Sequence, residues 1–206
     1  MNLICIAEHT VDVDRLTPGG WVLDAGCRNF GFARGLAERG CRVLAIDADP
    51  TVVAEDIPNV TFLHRAIAAE AGTRSLVMSS DPQARYLTPV GSTAVGGEKV
   101  EALTIEQLSS CHPFTPILPA DGPPWDVVKL DVEGAEYDIL QAWPGPISQQ
   151  LSIEFHEHVC PRASEVYESI FEHLGQWYDV VQHVKEARHC AAPSWYDSLL
   201  VLRNRP

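Results

Sequence analysis

The feature that most constrains this chain is a strand, a glycine turn, a helix and a second strand, all within Trp21–Pro50 (WVLDAGCRNFGFARGLAERGCRVLAIDADP). Short apolar runs predict strands at Trp21–Gly26 and Cys41–Asp47. Between them, Phe32–Arg39 has helical periodicity, and Gly40 is placed to end that helix. Elements in this order favour two parallel strands with the helix packed on one face of the sheet.

The same alternation continues along the rest of the chain. Further apolar runs predict the strands Val60–His64, Trp125–Asp131, Gln150–His156, Tyr178–Val184 and Asp197–Arg203. Helices are predicted at Ala135–Trp143 and Arg162–Leu174, with a short helical piece from Pro50. The last two strands are joined by about a dozen residues without a helical pattern, which favours an antiparallel pair. The sequence therefore predicts an α/β fold, a Rossmann-like three-layer sandwich around a mostly parallel sheet.

The chain has 206 residues, which fits one domain over 1–206 with an N-terminal segment over 1–20. The alternation breaks at Ala69–Pro124, where Gly, Ser, Thr and Pro are frequent. Within this region TRSLVMS and KVEAL predict short strands, and Thr104 and Gln107 have the spacing of a capping box. We predict a loop-rich insertion over 79–124. Its loop Thr88–Gly97 is either a lid over an active site or a plain surface insertion.

Composition excludes several classes of partner. Apolar residues make up 46% of the chain, as in a globular protein with a core, and the formal net charge is −13. Such an acidic surface repels phosphate backbones and anionic lipids, so we expect neither a nucleic acid nor a membrane partner. The N-terminus has too short an apolar run for a signal peptide or a membrane span.

None of the six cysteines has C-x-x-C spacing. We expect reduced thiols in a cytoplasmic protein, and a homodimer is compatible with the sequence.

The glycine turn indicates the kind of cofactor. Gly26 allows a sharp turn after the first strand, and Asp47 ends the second strand at the distance typical of a ribose-binding carboxylate. A dinucleotide pyrophosphate favours three glycines, whereas only Gly26 and Gly31 are present and Asp24 would place a negative charge nearby. The same carboxylate suits the positive amino group of S-adenosylmethionine. The turn therefore favours S-adenosylmethionine over NAD.

A second set of polar residues follows two later strands. VVKLDVEGAEYDIL (Val127–Leu140) ends its strand with Asp131 and Glu133, and SIEFHEH ends the next with Glu154 and His156. Ligands of open α/β sheets bind at the carboxyl ends of the strands, so these side chains are expected in the same crevice as the glycine turn. The sequence predicts Asp131, Glu133 and His156 as the catalytic residues.

These motifs resemble the signature of the FkbM-type S-adenosylmethionine-dependent methyltransferases. The resemblance rests on VVKLDVEGAEYDIL, LSIEFHEH, AIAAEAGTRSL and VEALTIEQL, and it covers roughly Val22–Arg203. It implies a seven-stranded sheet with an antiparallel last strand, and methylation of hydroxyl groups on natural products or saccharides. The residues expected to bind the cofactor are Asp24, Ala25, Gly26, Cys27, Asp47, Ala48, Ala66 and Asp131.

For methyl transfer to a hydroxyl, His156 has the pKa range of a general base. Three alternatives stay open at this point. Asp131, Glu154 and His156 could instead hold Mg²⁺ or Mn²⁺. The chain could also be a NAD(P)-dependent oxidoreductase, which the turn disfavours, or a binding module without catalytic activity.

Overall fold

The computed structural model describes residues 1–78, 85–87, 97–110, 124–157, 160, 162–186 and 195–203. In chain order, its strands are β1 (Leu3–Ile6), β2 (His9–Asp12), β3 (Trp21–Ala25), β4 (Arg42–Asp47), β5 (Val60–His64), β6 (Ala66–Ile67), β7 (Gly72–Met78), β8 (Arg85–Leu87), β9 (Glu98–Leu103), β10 (Trp125–Leu130), β11 (Ser148–His156), β12 (Tyr178–Glu186) and β13 (Trp195–Leu202). The helices are α1 (Gly31–Ala37), α2 (Ile105–Ser110), α3 (Glu136–Gln141) and α4 (Ala163–Leu174). None of these helices is long and apolar enough to span a membrane.

Seven strands form the central sheet, in the order β12-β13-β11-β10-β3-β4-β5. The five strands from β11 to β5 are parallel to their neighbours, whereas β13 pairs antiparallel with both β11 and β12. The predicted fold class is confirmed: an α/β sandwich around a seven-stranded, mostly parallel sheet with an antiparallel last strand.

The two faces of the sheet are covered differently. On one face, α2, α3 and α4 pack over side chains such as Leu23, Val128 and Ile153, which are completely buried. On the other face, α1 packs beside the hairpin β1–β2, with Phe32 and Val11 buried against the sheet. The hairpin lies over β11 and β13. Gln150 of β11 exchanges two hydrogen bonds with the backbone of Asp12 in the hairpin.

The sequence did not predict this hairpin, and the composition of its turn explains why. Its register pairs Ile6 with His9, so Ala7 and Glu8 form a two-residue turn in which both have positive φ, 44° and 73°. Such turns usually carry Asn-Gly or Asp-Gly, and neither occurs here. The segment over 1–20 therefore has no local hairpin signal although it forms a hairpin.

The region that interrupts the alternation forms a second sheet in its described part. Its four strands have the order β6-β9-β7-β8, and α2 follows β9. The capping box is confirmed, since Thr104 Oγ1 accepts from the Gln107 amide and Gln107 Oε1 accepts from the Thr104 amide. Most of the loop Thr88–Gly97 lies outside the described residues, so its role as a lid stays a prediction.

The helical piece predicted from Pro50 is wrong. After a turn at Pro50 and Thr51 the chain has no helix before β5. The Asp49 carboxylate accepts hydrogen bonds from both the amide and the hydroxyl of Thr51. This local side-chain bonding offers the backbone an alternative to a helix.

Candidate active site

A pocket opens at the carboxyl ends of β3, β4 and β10, where open α/β sheets bind their ligands. Among the described residues, its lining comprises Gly26, Arg28, Ile46, Asp47, Ala48, Asp49, Arg65, Ala66, Ile67, Leu76, Leu87, Asp131, Val132 and Glu133. Six predicted site residues therefore line one cavity: Gly26, Asp47, Ala48, Ala66, Asp131 and Glu133.

Gly26 is required by a close approach of two strands' ends. Its φ is +81°, and a Cβ at this position would lie 1.7 Å from the backbone oxygen of Asp131. The amides of Gly26 and Cys27 both donate to the Ile46 carbonyl, at 2.8 and 3.2 Å. These two N–H groups therefore join β3 to β4.

Asp24, Ala25 and Cys27 lie behind the pocket and not in its lining. Asp24 and Ala25 are completely buried, and Cys27 is nearly so. Asp24 accepts a hydrogen bond from the Ala33 amide in the first turns of α1. The expected direct contact of Asp24 with a cofactor is replaced by a structural contact, because its carboxylate faces α1 and a buried lysine.

Asp47 stands at the end of β4, where the ribose-binding carboxylate was predicted. Its Oδ2 accepts from the Arg28 amide and its Oδ1 accepts from the Asp49 amide, both at 2.8 Å. Burial raises the pKa of this carboxyl, and the two backbone amides oppose that rise. Each carboxylate oxygen has a second lone pair, so Asp47 can still accept hydrogen bonds from two vicinal hydroxyls.

Lys129 joins the glycine turn to the acidic end of β10. Its Nζ lies 3.0 Å from Asp24 Oδ1 and 3.2 Å from Asp131 Oδ2, and it donates to the Gly26 carbonyl at 2.7 Å. Burial opposes the charge of Lys129, but Asp24 and Asp131 more than offset it and raise its pKa. Burial likewise opposes the charge of Asp131, and Lys129 and His9 hold its pKa below the usual range.

His156 and His9 lie near different carboxylate oxygens of Asp131. His156 Nε2 lies 3.6 Å from Asp131 Oδ1, and His9 Nε2 lies 3.6 Å from Asp131 Oδ2. Glu154 is placed in the same way, 3.7 Å from His156 Nε2 and 3.9 Å from His9 Nε2. The structure therefore brings the predicted residues Asp131, Glu154 and His156 together, as the ends of neighbouring strands require.

Glu136, the first residue of α3, fixes the orientation of His156. Its Oε1 accepts from the His156 amide at 2.7 Å and lies 3.1 Å from His156 Nδ1. Its Oε2 accepts from the Gly134 amide. Burial lowers the pKa of His156, but the carboxylates of Glu136, Glu133 and Asp131 dominate and raise it to about 10.

Glu133 and Asp131 are the two predicted catalytic carboxylates that line the pocket. The Glu133 side chain is 25% exposed and lies 3.7 Å from His156 Nε2. Burial raises its pKa to about 7. Its φ of +52° is unusual for a residue with a side chain, and such conformations occur often at functional sites.

Sequence reasoning missed His9, Lys129 and Glu136. His9 reaches the site only because the unpredicted hairpin folds over β11. Lys129 is part of the KLDVEG motif, and a charged residue inside an otherwise apolar strand run was the available signal. Glu136 begins α3, where the helix dipole already favours a negative charge, so its carboxylate gave no distinct signal.

Comparison with known proteins gives distant structural matches. No family model matches the chain, and no curated protein matches it. A TehB-like SAM-dependent methyltransferase from Corynebacterium glutamicum is 12% identical, with a TM-score of 0.45 over 92% of this chain and 84% of that chain. Magnesium protoporphyrin IX methyltransferase from Synechocystis, solved with bound SAM, is 13% identical, with a TM-score of 0.47 over 90% and 71%. The N-methyltransferase NodS from Bradyrhizobium japonicum is 13% identical, with a TM-score of 0.46 over 90% and 86%. Similarity at this level does not identify a reaction or an acceptor.

Proposed function

We propose that this chain is an S-adenosylmethionine-dependent methyltransferase that transfers the methyl group to a hydroxyl oxygen. The observation that carries the proposal is the position of Asp47 and Asp131 on one pocket, across the Gly26 turn. Asp47 is placed to accept hydrogen bonds from the ribose hydroxyls. Asp131, whose carboxylate stays ionised beside Lys129, is placed to hold the amino group and to attract the positive sulfonium.

Glu133 is our candidate for the group that accepts the proton of the acceptor hydroxyl. It lines the pocket next to Asp131, and its carboxylate can reach a ligand bound there. This assignment revises the role of His156, which was the base expected from the sequence. His156 is only 4% exposed and is bound to Glu136, so we propose that it positions Glu133 and Asp131.

The acceptor class follows from the resemblance to FkbM-type enzymes and from the pocket itself. A small natural product or a saccharide presents hydroxyl groups to a cavity lined by carboxylates and by the cations Arg28 and Arg65. The formal net charge of −13 supports a small acceptor over a nucleic acid. The protein as proposed acts as an enzyme in the cytoplasm and needs no membrane partner.

Calorimetry tests the proposal directly. The protein is titrated with S-adenosylmethionine, S-adenosylhomocysteine and NADH, and we expect saturable binding of the first two only. The same protein is then incubated with methyl-labelled S-adenosylmethionine and a panel of sugars and phenols, and label transfer to an acceptor is measured. Binding of NADH in place of S-adenosylhomocysteine would indicate an oxidoreductase instead. Binding of neither ligand would contradict the proposed function.

A further inference from the structure

The residues His9, Asp131, Glu154 and His156 form a carboxylate–imidazole cluster beneath the pocket. The two carboxylates alternate with the two imidazoles, and each carboxylate directs one oxygen toward each ring. The four separations are 3.6, 3.6, 3.7 and 3.9 Å between Nε2 and carboxylate oxygen atoms. All four exceed the distance of a good hydrogen bond.

These separations are close to those between neighbouring ligands of one metal ion. Nitrogen and oxygen ligands lie about 2.0–2.2 Å from a first-row divalent ion, so adjacent ligand atoms lie about 3.0–3.5 Å apart. The ligand atoms of His9, Asp131 and Glu154 all lie within 4.8 Å of one another. Contraction of their separations by a few tenths of an ångström would therefore bring them to coordination distance. One imidazole nitrogen and two carboxylates can supply three to five ligand atoms to a central ion.

The second nitrogen of each ring is held from outside the cluster. His156 Nδ1 lies 3.1 Å from Glu136 Oε1, and His9 Nδ1 lies 3.3 Å from Ser152 Oγ. A hydrogen-bond acceptor on Nδ1 fixes the tautomer that leaves the Nε2 lone pair for a metal, and metal-binding histidines almost always have such a partner. The His9 ring therefore directs Nε2 toward Asp131 and Glu154.

The charges around the cluster also favour a cation. The buried carboxylates of Asp24 and Glu136 add to the negative charge of Asp131 and Glu154. Lys129 neutralises part of this negative charge. Buried carboxylates are costly unless they are paired or coordinate a metal. A divalent ion bound by His9, Asp131 and Glu154 would compensate two of the remaining charges.

From this geometry we propose that His9, Asp131 and Glu154 bind one divalent transition-metal ion, with His156 next to the two carboxylates. The imidazole ligand favours Zn²⁺ or Co²⁺ over Mg²⁺, which prefers a set of oxygen ligands. His9 comes from the hairpin, Asp131 from the end of β10, and Glu154 from β11. The ion would therefore cross-link the hairpin to the sheet and fix Asp131 at the wall of the pocket.

The first experiment measures metal uptake by the whole protein. The purified chain is stripped with chelator, dialysed, and titrated with Co²⁺ and Zn²⁺ while visible absorption, binding heat and melting temperature are recorded. We expect one equivalent to bind, a Co²⁺ absorption band to appear, and the melting temperature to rise, with much weaker binding of Mg²⁺. Failure of the wild-type protein to bind one equivalent of any of the transition metals would overturn the proposal.

A pair of variants then assigns the ligands. His9→Gln should lower Co²⁺ affinity by at least ~10-fold, since even loss of an outer-shell partner costs 10–100-fold. His64→Gln removes an exposed imidazole outside the cluster and should leave the affinity unchanged. Equal affinity in the two variants would exclude His9 as a ligand.

X-ray absorption by the Co²⁺-loaded wild type covers the case in which His9→Gln does not fold. An imidazole ligand is expected, and a spectrum without imidazole scattering would contradict the site. Binding of S-adenosylhomocysteine to the stripped protein is measured separately. Binding of metal without binding of S-adenosylhomocysteine would support the metal site and contradict the proposed function. Binding of S-adenosylhomocysteine without binding of metal would support the proposed function and contradict the metal site.

Discussion

Lys129 and Asp24 form a buried ion pair in which Nζ lies 3.0 Å from Oδ1. Lys129→Met would leave the carboxylates of Asp24 and Asp131 without this cation inside the protein. Removing one partner of a buried pair costs about 3–5 kcal/mol, so we expect a loss of this size in the free energy of unfolding measured with denaturant.

Arg203 and Asp179 provide the matched control for this prediction. Their atoms Nε and Oδ1 lie 2.6 Å apart, but both side chains are about half exposed. Arg203→Met should therefore change the free energy of unfolding by only about 0–1 kcal/mol. In the double variant Lys129→Met/Asp24→Asn, part of the loss should be recovered, and strict additivity would argue against the ion pair.

Asp47→Ala should weaken binding of S-adenosylhomocysteine, because the variant loses the acceptor proposed for the ribose hydroxyls. Hydrogen bonds to a charged group contribute about 1.5–3 kcal/mol, which corresponds to a roughly 10–150-fold increase in Kd by calorimetry. Asp179→Ala, a change at an exposed aspartate, should leave Kd unaltered. Wild-type affinity in Asp47→Ala would remove this residue from the cofactor site.

Glu133→Gln should lower turnover by roughly 10²–10⁴-fold, the range of general acid–base catalysis, while binding of S-adenosylhomocysteine changes little. Glu165→Gln replaces an exposed glutamate on α4 and should retain full turnover. Near-normal turnover in Glu133→Gln would exclude this carboxylate as the proton acceptor.

Glu133→Gly separates catalysis from stability at the same position. A residue with a side chain at φ near +52° stores strain of about 1–3 kcal/mol, which glycine does not. We expect the glycine variant to be inactive and yet at least as stable as the wild type in thermal unfolding. A clear loss of stability would mean that the side chain is retained for the fold.

Gln150→Leu should weaken the attachment of the hairpin to the sheet. Gln150 Oε1 accepts from the Asp12 amide at 2.7 Å, and Gln150 Nε2 donates to the Asp12 carbonyl at 3.0 Å. Each buried backbone group left unpaired costs about 1–3 kcal/mol. Faster hydrogen exchange at the Asp12 amide would report the loss, whereas Gln141→Leu on the exposed end of α3 should not change it.

The pKa shifts of the buried thiols predict where alkylation occurs. Burial raises the pKa of Cys41 to about 11 and also raises that of Cys27, while Cys5 is exposed. The folded state therefore disfavours both thiolates, and its stability should fall as the pH rises above the unfolded thiol pKa of about 8.5. Peptide mapping after iodoacetamide treatment at pH 8 should find Cys5 modified well before Cys27 or Cys41. Equal rates at the three positions would contradict the buried environment.

The sequence predicts the central sheet well because its strands are buried on both faces and read as continuous apolar runs. Leu23, Leu44 and Val128 show this in three neighbouring strands, each completely buried. The end of each parallel strand then places Asp47 and Asp131 at one edge without further information.

Other parts of the site depend on contacts between distant segments, which no local pattern carries. His9 reaches Asp131 only through the docking of the hairpin, and the turn at Ala7 and Glu8 lacks the residues that mark such hairpins. Asp24 was expected to contact the cofactor because it lies beside the glycine turn. Lys129, its pairing partner on the neighbouring strand β10, neutralises it inside the protein instead. Charge compensation of this kind becomes visible only when the partner is known.

The hairpin also has a consequence for the order in which the chain folds. Its backbone bonds to Gln150, its Thr10 hydroxyl accepts from Gln182, and Arg15 donates to the carbonyl of Leu202. These partners are synthesised long after the hairpin itself, so the hairpin can pack against α1 early but cannot make these hydrogen bonds until β11, β12 and β13 have been made. Because non-local contacts of this kind form slowly, we expect the start of the chain to be the final piece to settle.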